Sequence, residues 1–170
     1  MYKRQIDADI KVTYDVSHNI AKFETHEVHG SNCKCCVHRK GATRAFSGDN
    51  PDLADDFQGI GQPVLVPGDM GRAAWVLAGP TTGENDACSS SCHGAGRKLS
   101  RTAARNTIDP EALVRELEGM GIIVRAKTRS LLSEEAPEAY KNVDDVVRLT
   151  ESAGLARPVA RLRPLGVIKG

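Results

Sequence analysis

An α+β fold is predicted here from three observations. Short apolar runs bounded by Gly and Pro, such as Pro63-Val64-Leu65-Val66-Pro67, have the length of buried strands. Other segments carry helix start and stop signals, such as Asp109-Pro110 followed by Gly121. The two kinds mix without a repeating strand–helix–strand rhythm, so mixed sheets with flanking helices are expected instead of one wound parallel sheet.

In chain order, Ile10 to Tyr14 alternates and predicts a strand, followed by a short helical or irregular stretch after His18-Asn19. Residues near His26 to His38 predict a hairpin turning at His29-Gly30-Ser31-Asn32. Polar loops run from Gly41 to Pro63. Pro63–Pro67 and Ala74–Ala78 are the two apolar strands. A Gly- and Ser-rich loop leads to His93. The run Arg97 to Arg105 has helix formers and neither Gly nor Pro, so a basic helix is expected there. Asp109 as N-cap and Pro110 at the first position open a helix to about Met120. Ile122 to Ala126 predicts a strand. Asn142 opens a helix to about Gly154, with Val143, Val146, Val147 and Leu149 on or near its apolar face. Arg161 to Gly170 predicts a closing strand.

The 170 residues are enough for one domain with a core. Lys plus Arg is 23 against 22 for Asp plus Glu, a net charge of +1, so any nucleic-acid contact must come from a local patch. Aromatic content is 4%, which argues against a surface that stacks many bases. No apolar run approaches the ~20 residues that span a bilayer. No charged leader with an apolar stretch opens the chain, so a cytoplasmic protein without membrane contact is the expectation. Five cysteines, an odd number, argue against a disulfide framework.

The chemistry concentrates in loops at strand ends. Gly94 and Gly96 let backbone approach a ligand beside His93. If the basic helix starts at Arg97, its N-terminus faces His93 and attracts phosphate, with Arg97, Arg101 and Arg105 on one face as a cationic wall. Spacing alone also fits a capped, solvated basic helix with His93 as a plain loop residue. Cys33 and Cys35 share one strand face and Cys36 and His38 the other, with His26 and His29 near. That is not a usual zinc spacing.

Several blocks together resemble one family. They are Tyr14-Asp15-Val16-Ser17-His18-Asn19-Ile20-Ala21-Lys22, His38-Arg39-Lys40-Gly41-Ala42-Thr43-Arg44-Ala45-Phe46, Gly61-Gln62-Pro63-Val64-Leu65, Cys92-His93-Gly94-Ala95-Gly96-Arg97, Glu135-Ala136-Pro137-Glu138-Ala139-Tyr140-Lys141, Leu162-Arg163-Pro164 and Lys169-Gly170. In order, these are similar to the carboxyl-terminal portion of the RtcB family of RNA-splicing ligases. The resemblance covers residues 10–170 as part of a single catalytic domain. Residues 1–9 stand outside it as a non-matching or truncated start.

The resemblance implies a ligase dependent on GTP and manganese (Mn2+), joining RNA 3′-phosphate or 2′,3′-cyclic phosphate ends to 5′-hydroxyl ends. Cleaved tRNA halves or other broken RNA are the implied partners, with an accessory activating protein as a further one. His93 matches the nucleophile that becomes a histidine–GMP adduct. His18 matches a manganese ligand and Asn19 a GMP contact. Gly94, Ala95 and Gly96 match the loop around the nucleotide, and Pro67, Gly68 and Met70 a second turn. Tyr140 and Lys169 match the guanosine pocket. Without the resemblance, Tyr140 reads as an ordinary aromatic and Lys169 as a solvated tail residue. Lys40, Arg44 and Arg101 are candidates for RNA phosphates.

Departures from the family pattern are Asp69 and Ala74 where serines are usual, and Cys88-Ser89 where Phe-Gly is usual. The family's amino-terminal metal ligands, an aspartate, a cysteine and two histidines, have no counterpart, nor do its Asn-His-Phe segment and nucleotide-binding glutamate. The chain alone is therefore expected to be inactive or nearly so. The alternatives are a non-enzymatic RNA-binding remnant and a nucleotidyl hydrolase.

Overall fold

A computed structural model describes residues 11–169. The fold is α+β, as expected, with several small sheets and four α-helices among the described residues. No helix among the described residues is long and apolar enough to cross a membrane.

The first sheet is a two-stranded antiparallel ribbon, β1 (Asn19–Val28) with β2 (Ser31–Lys40), in register from Asn19↔Lys40 to Val28↔Ser31. His29 and Gly30 form its two-residue turn, both at positive φ, the geometry that matches the twist of paired strands. The hairpin is longer than predicted and takes in the stretch after Asn19 that reads as helical or irregular. The strand predicted over Ile10 to Tyr14 does not form among the described residues, and Ile10 lies outside them, as do residues 1–9. Side chains anchor this segment instead. Tyr14 packs edge-on against Phe57 with centroids 5.5 Å apart, and Thr43 donates to the Ser17 carbonyl at 3.1 Å.

β3 (Ala42–Arg44) pairs with β6 (Ser90–Cys92), and this places Gly41 and His93 side by side. β4 (Pro63–Pro67), β5 (Ala74–Ala78) and β8 (Arg157–Leu162) make a three-stranded antiparallel sheet. The predicted closing strand is two strands in different sheets. β8 ends at Leu162, and β9 (Gly166–Lys169) pairs in parallel with β7 (Ile123–Ala126). Pro164, which lacks an N–H, lies in the break between them.

The predicted basic helix starts later. α1 (Arg101–Thr107) is seven residues, capped by the Ser100 hydroxyl, which accepts from the Ala103 N–H at 3.1 Å. Arg97 lies outside it, so the predicted helix does not begin beside His93, and Arg97 does not share a helix face with Arg101 and Arg105 as the expected cationic wall requires. α2 (Pro110–Gly119) has the predicted Asp109 cap and Pro110 start. α3 (Arg129–Glu134) and the short 3-10 turn Pro137–Ala139 follow. α4 (Val143–Ser152) buries Val143, Val147 and Thr150, whereas Leu149 is 71% exposed, off the face predicted for it.

Two apolar clusters result. One joins Val64, Val66 and Leu77 to Val143 and Val147 of α4. The other joins Leu113, Leu117, Val124 and Leu132 around Met70. The turn Pro67–Met70 crosses from the first to the second. Asp144 ties the layers by accepting from Trp75 Nε1 at 2.8 Å and Arg161 Nε at 3.0 Å. Its carboxyl lies below its ordinary value, chiefly because Arg161 donates to it.

Candidate functional site

A cleft of about 730 Å³ opens along the seam between the two clusters. Pro67, Gly68 and Met70 line it from the crossing turn, and His93, Gly94, Ala95 and Gly96 from the loop after β6. Tyr140 and Lys169 line it as well. These segments are distant in sequence, and the fold brings them together.

Backbone bonds hold the walls. The Ala95 N–H donates to the Pro67 carbonyl at 3.0 Å, fastening the histidine loop to the crossing turn. Gly96 takes φ +73°, and its carbonyl accepts from the Lys141 N–H at 3.0 Å, fastening the loop to the Tyr140 segment. Gly68 is packed so tightly that an added Cβ would meet the Ala73 carbonyl oxygen at 2.2 Å.

His93 is half-buried, and His18 stacks on it, with ring centroids 4.7 Å apart and planes within 6°. Burial first, and the neighbouring His18 second, lower the His93 pKa below its ordinary value. Neither His18 nor Asn19 lines the cleft; the stack places His18 beside it, at the foot of β1. Among the described residues no group of three or more His, Cys, Asp or Glu is placed to hold a metal.

Glu135, also in the lining, organises a polar wall. It accepts from the Tyr140 hydroxyl at 2.6 Å and Lys169 Nζ at 3.2 Å, with Arg97 Nη1 at 3.4 Å. Burial works against its charge, but the Tyr140 hydrogen bond and the Lys169 and Arg97 charges outweigh it and lower its pKa. The same burial, with the carboxylate it faces, raises that of Tyr140. Arg97 stacks over the Tyr140 ring, 4.8 Å from its centroid, and donates to the Glu134 carbonyl. Sequence reasoning gave Arg97 to a helix and assigned no role to Glu135. The resemblance marks Tyr140 and Lys169, but only the fold joins them to positions 97 and 135.

Asp69 does not stand free in the cleft. Its side chain is fully buried, and Oδ1 accepts from the backbone N–H groups of Gly71 and Arg72 at 3.0 and 2.9 Å. The carboxylate caps its own turn, with Arg72 Nη1 at 3.4 Å from Oδ2.

The RNA-phosphate candidates differ in what already engages them. Lys40 is exposed at the foot of β2. Arg44 is committed, donating to Gln62 at 3.2 Å and stacking on Phe46 at 4.3 Å. Arg101 faces Glu134 at 3.6 Å from the exposed start of α1.

The arrangement defines a class of molecule: an α+β protein with one histidine lining a seam cleft and a second stacked on it. A family model described as tRNA-splicing ligase RtcB matches residues 1–170. The tRNA-splicing ligase RtcB of Thermococcus kodakarensis is 51% identical over 171 residues, covering 100% of this chain and 36% of that protein. That of Archaeoglobus fulgidus is 50% identical over 164 residues, covering 96% of this chain and 34% of that protein. The chain belongs to the RtcB family, and it spans about a third of the length of these two relatives.

Proposed function

We propose that this chain is the nucleotide-transferring part of a GTP-dependent RNA ligase. The observation that carries the reading is the position of His93. It lines the same cleft as Tyr140, Lys169 and Glu135, together with the glycine loops at Gly68, Gly94 and Gly96. A cleft of this size suits a nucleotide-sized ligand.

In this reading the neutral His93 imidazole attacks the α-phosphorus of GTP. An N–P bond forms, the P–O bond to the β-phosphate breaks, and pyrophosphate leaves. The lowered pKa keeps the lone pair available at neutral pH. The guanylate then passes to an RNA 3′-phosphate and regenerates the imidazole. The 5′-hydroxyl of a second RNA end attacks that activated phosphorus and expels GMP. Covalent transfer divides one hard displacement into easier ones.

Tyr140 offers a ring to a purine face. Lys169 donates but cannot accept, which suits guanine O6 over the adenine amine. Glu135 holds both in place. Pro67, Gly68, Met70, Gly94, Ala95 and Gly96 shape the remaining contacts, and a nucleotide contact by Asn19, which lies outside this cleft, rests on the family resemblance alone.

Manganese is the metal expected in this family. Among the described residues the resemblance offers His18 alone, and a manganese ion takes about six ligands, mostly oxygen and nitrogen. The described residues do not by themselves fit it, and no step here passes through one. An RNA substrate such as cleaved tRNA, an accessory activating protein and a cytoplasmic location belong to the same proposal.

The test supplies the remaining two-thirds of the domain from a relative, with labelled GTP and manganese. The expected product is an acid-labile, alkali-stable protein adduct that His93→Ala abolishes. Label that persists in His93→Ala refutes the assignment.

A further inference from the structure

We propose that the outer face of the β1–β2 ribbon is a track for single-stranded RNA, with Phe23 as a base-stacking platform and Lys34, His38 and Lys40 as its phosphate contacts. The inference rests on the RNA-ligase reading for the class of its ligand, and on the following geometry for its place.

The register sorts the ribbon into two faces. Glu24, His26 and Arg39 point inward. Arg39 donates to Glu24 at 2.9 and 2.7 Å and to Ser90 Oγ at 2.9 Å, and His26 lies between Glu24 and Glu84. Around these three residues the face is covered by the protein's own body, while Lys22, Val28, Ser31 and Cys33 on it stay exposed. The other face carries Phe23 opposite Cys36, Ala21 opposite His38, Thr25 opposite Lys34 and Asn19 opposite Lys40. It is open to solvent.

Phe23 is 73% exposed, so it contributes little to the core. Lys34 Nζ stands 5.7 Å from its ring centroid, and Cys36 Sγ lies 3.5 Å from His38 Nε2 on the same face. The face has one carboxylate, Glu27, out at the turn end. An exposed ring between cations is the composition of a single-strand site: the ring takes an unpaired base and the cations take the backbone. A duplex hides its base faces and would meet only the cations. The low aromatic content limits the track to about one stacked base, not a multi-base platform.

The track also ends where such a ligand would react. Lys40 precedes Gly41, whose added Cβ would stand 3.7 Å from His93 Nε2. Asn19, paired with Lys40, follows His18, which stacks on His93. Alternate residues on one strand face lie about 7 Å apart. Lys40, His38, Cys36 and Lys34 therefore form an outward row that starts at the nucleophile.

The experiment titrates a fluorescent, unstructured 12-nucleotide RNA, and the blunt duplex of the same length, with the full 170-residue chain at several salt concentrations. The single strand should bind more tightly than the duplex. Phe23→Ala should weaken single-strand binding roughly tenfold, and Phe23→Tyr should restore it. Lys34→Ala and Lys40→Ala should each lower the slope of log K against log salt by about 0.7. Lys22→Ala, on the opposite face of β1, should change neither. The substituted positions are exposed, and circular dichroism checks that each variant folds.

Wild-type affinity in Phe23→Ala, equal binding of the duplex, or no RNA binding by the chain overturns the proposal. So does a Phe23→Ala variant that only changes self-association in sedimentation. The readout needs no nucleotide transfer. A retained His93 adduct without this binding sinks the track alone, and the reverse sinks the ligase reading alone.

Discussion

Cys88 and Ser89 hold left-handed backbone, φ 49° and 47°, just ahead of the strand that delivers His93. Such a conformation costs a residue with a Cβ about 1–2 kcal/mol. Here it is kept by bonds on both carbonyls: Ser89 O accepts from the Ala45 N–H at 2.7 Å, and Cys88 O from Arg39 at 2.9 Å. Ser89→Gly should therefore stabilise the chain by about 0.5–1 kcal/mol, read as a rise in urea midpoint, because the relief exceeds the added chain entropy. The same Arg39 is buried against Glu24, itself 6% exposed. Burial works against the Glu24 charge, but hydrogen bonds from Arg39 and His26 and the charges of Arg39 and Arg44 hold its carboxyl below the ordinary 4.5. The folded pKa being depressed, the contribution is full above the unfolded value and is lost as pH falls through the folded one. Glu24→Gln should cost about 3–5 kcal/mol at pH 7, since it leaves a buried guanidinium without its carboxylate. The gap between wild type and variant should shrink as urea melts are taken from pH 5 down to pH 3. None of this network was legible in sequence, because its members are separated by up to 64 positions and its charged ones look like ordinary surface charge.

Legibility was greatest where an element carries its own punctuation. α2 follows from Asp109-Pro110 alone, since a cap oxygen and a fixed φ act within one turn. The β1–β2 turn follows from His29-Gly30, and its length was missed because strand pairing, not local pattern, carries it back to Asn19. α1 was placed too early: residues 97–100 have helix formers, but Arg97 makes tertiary bonds with Tyr140 and the 134–135 carbonyl and carboxylate instead. α4 shows how periodicity misleads at one position. Four apolar residues fall close together, and the packed row is Val143, Val147 and Thr150, at spacings of four and three. Thr150 joins it because its hydroxyl donates to the Val146 carbonyl at 2.8 Å, leaving its methyl free to pack. Val147→Ala should then cost about 2 kcal/mol by thermal melt, while Leu149→Lys should fall within about 0.5 kcal/mol of wild type. Equal losses would mean that Leu149 belongs to the core after all.

Across the whole molecule, the cleft exists because two apolar clusters meet without merging. A short turn joins them, with Val66 in one and Met70 in the other. The sequence marks Pro67-Gly68 as a turn, and the resemblance marks it as a site. Neither marks it as the hinge of the packing, since Gly68 is required by what lies across from it: the Ala73 carbonyl on one side and the Val143 side chain on the other. The Cβ of an alanine at position 68 would stand 2.2 Å from that carbonyl and 2.8 Å from Val143 Cγ1, so backbone must move. Overpacking of this kind costs typically about 1–3 kcal/mol. Its direction is specific. Pushing the crossing turn away from Val143 also strains the Pro67 carbonyl that holds Ala95, two residues from His93. Gly68→Ala should therefore lower the melting temperature and speed amide exchange at Ala95 and Gly96. Gly83→Ala is a useful contrast: that glycine has nothing within 4 Å of an added Cβ, though its φ of +76° gives alanine a local strain of about 1 kcal/mol. It should lose comparable stability while leaving exchange at Ala95 unchanged. If both variants quicken exchange at Ala95 alike, the loop next to His93 reports only global stability, and the crossing turn is not what holds the cleft open.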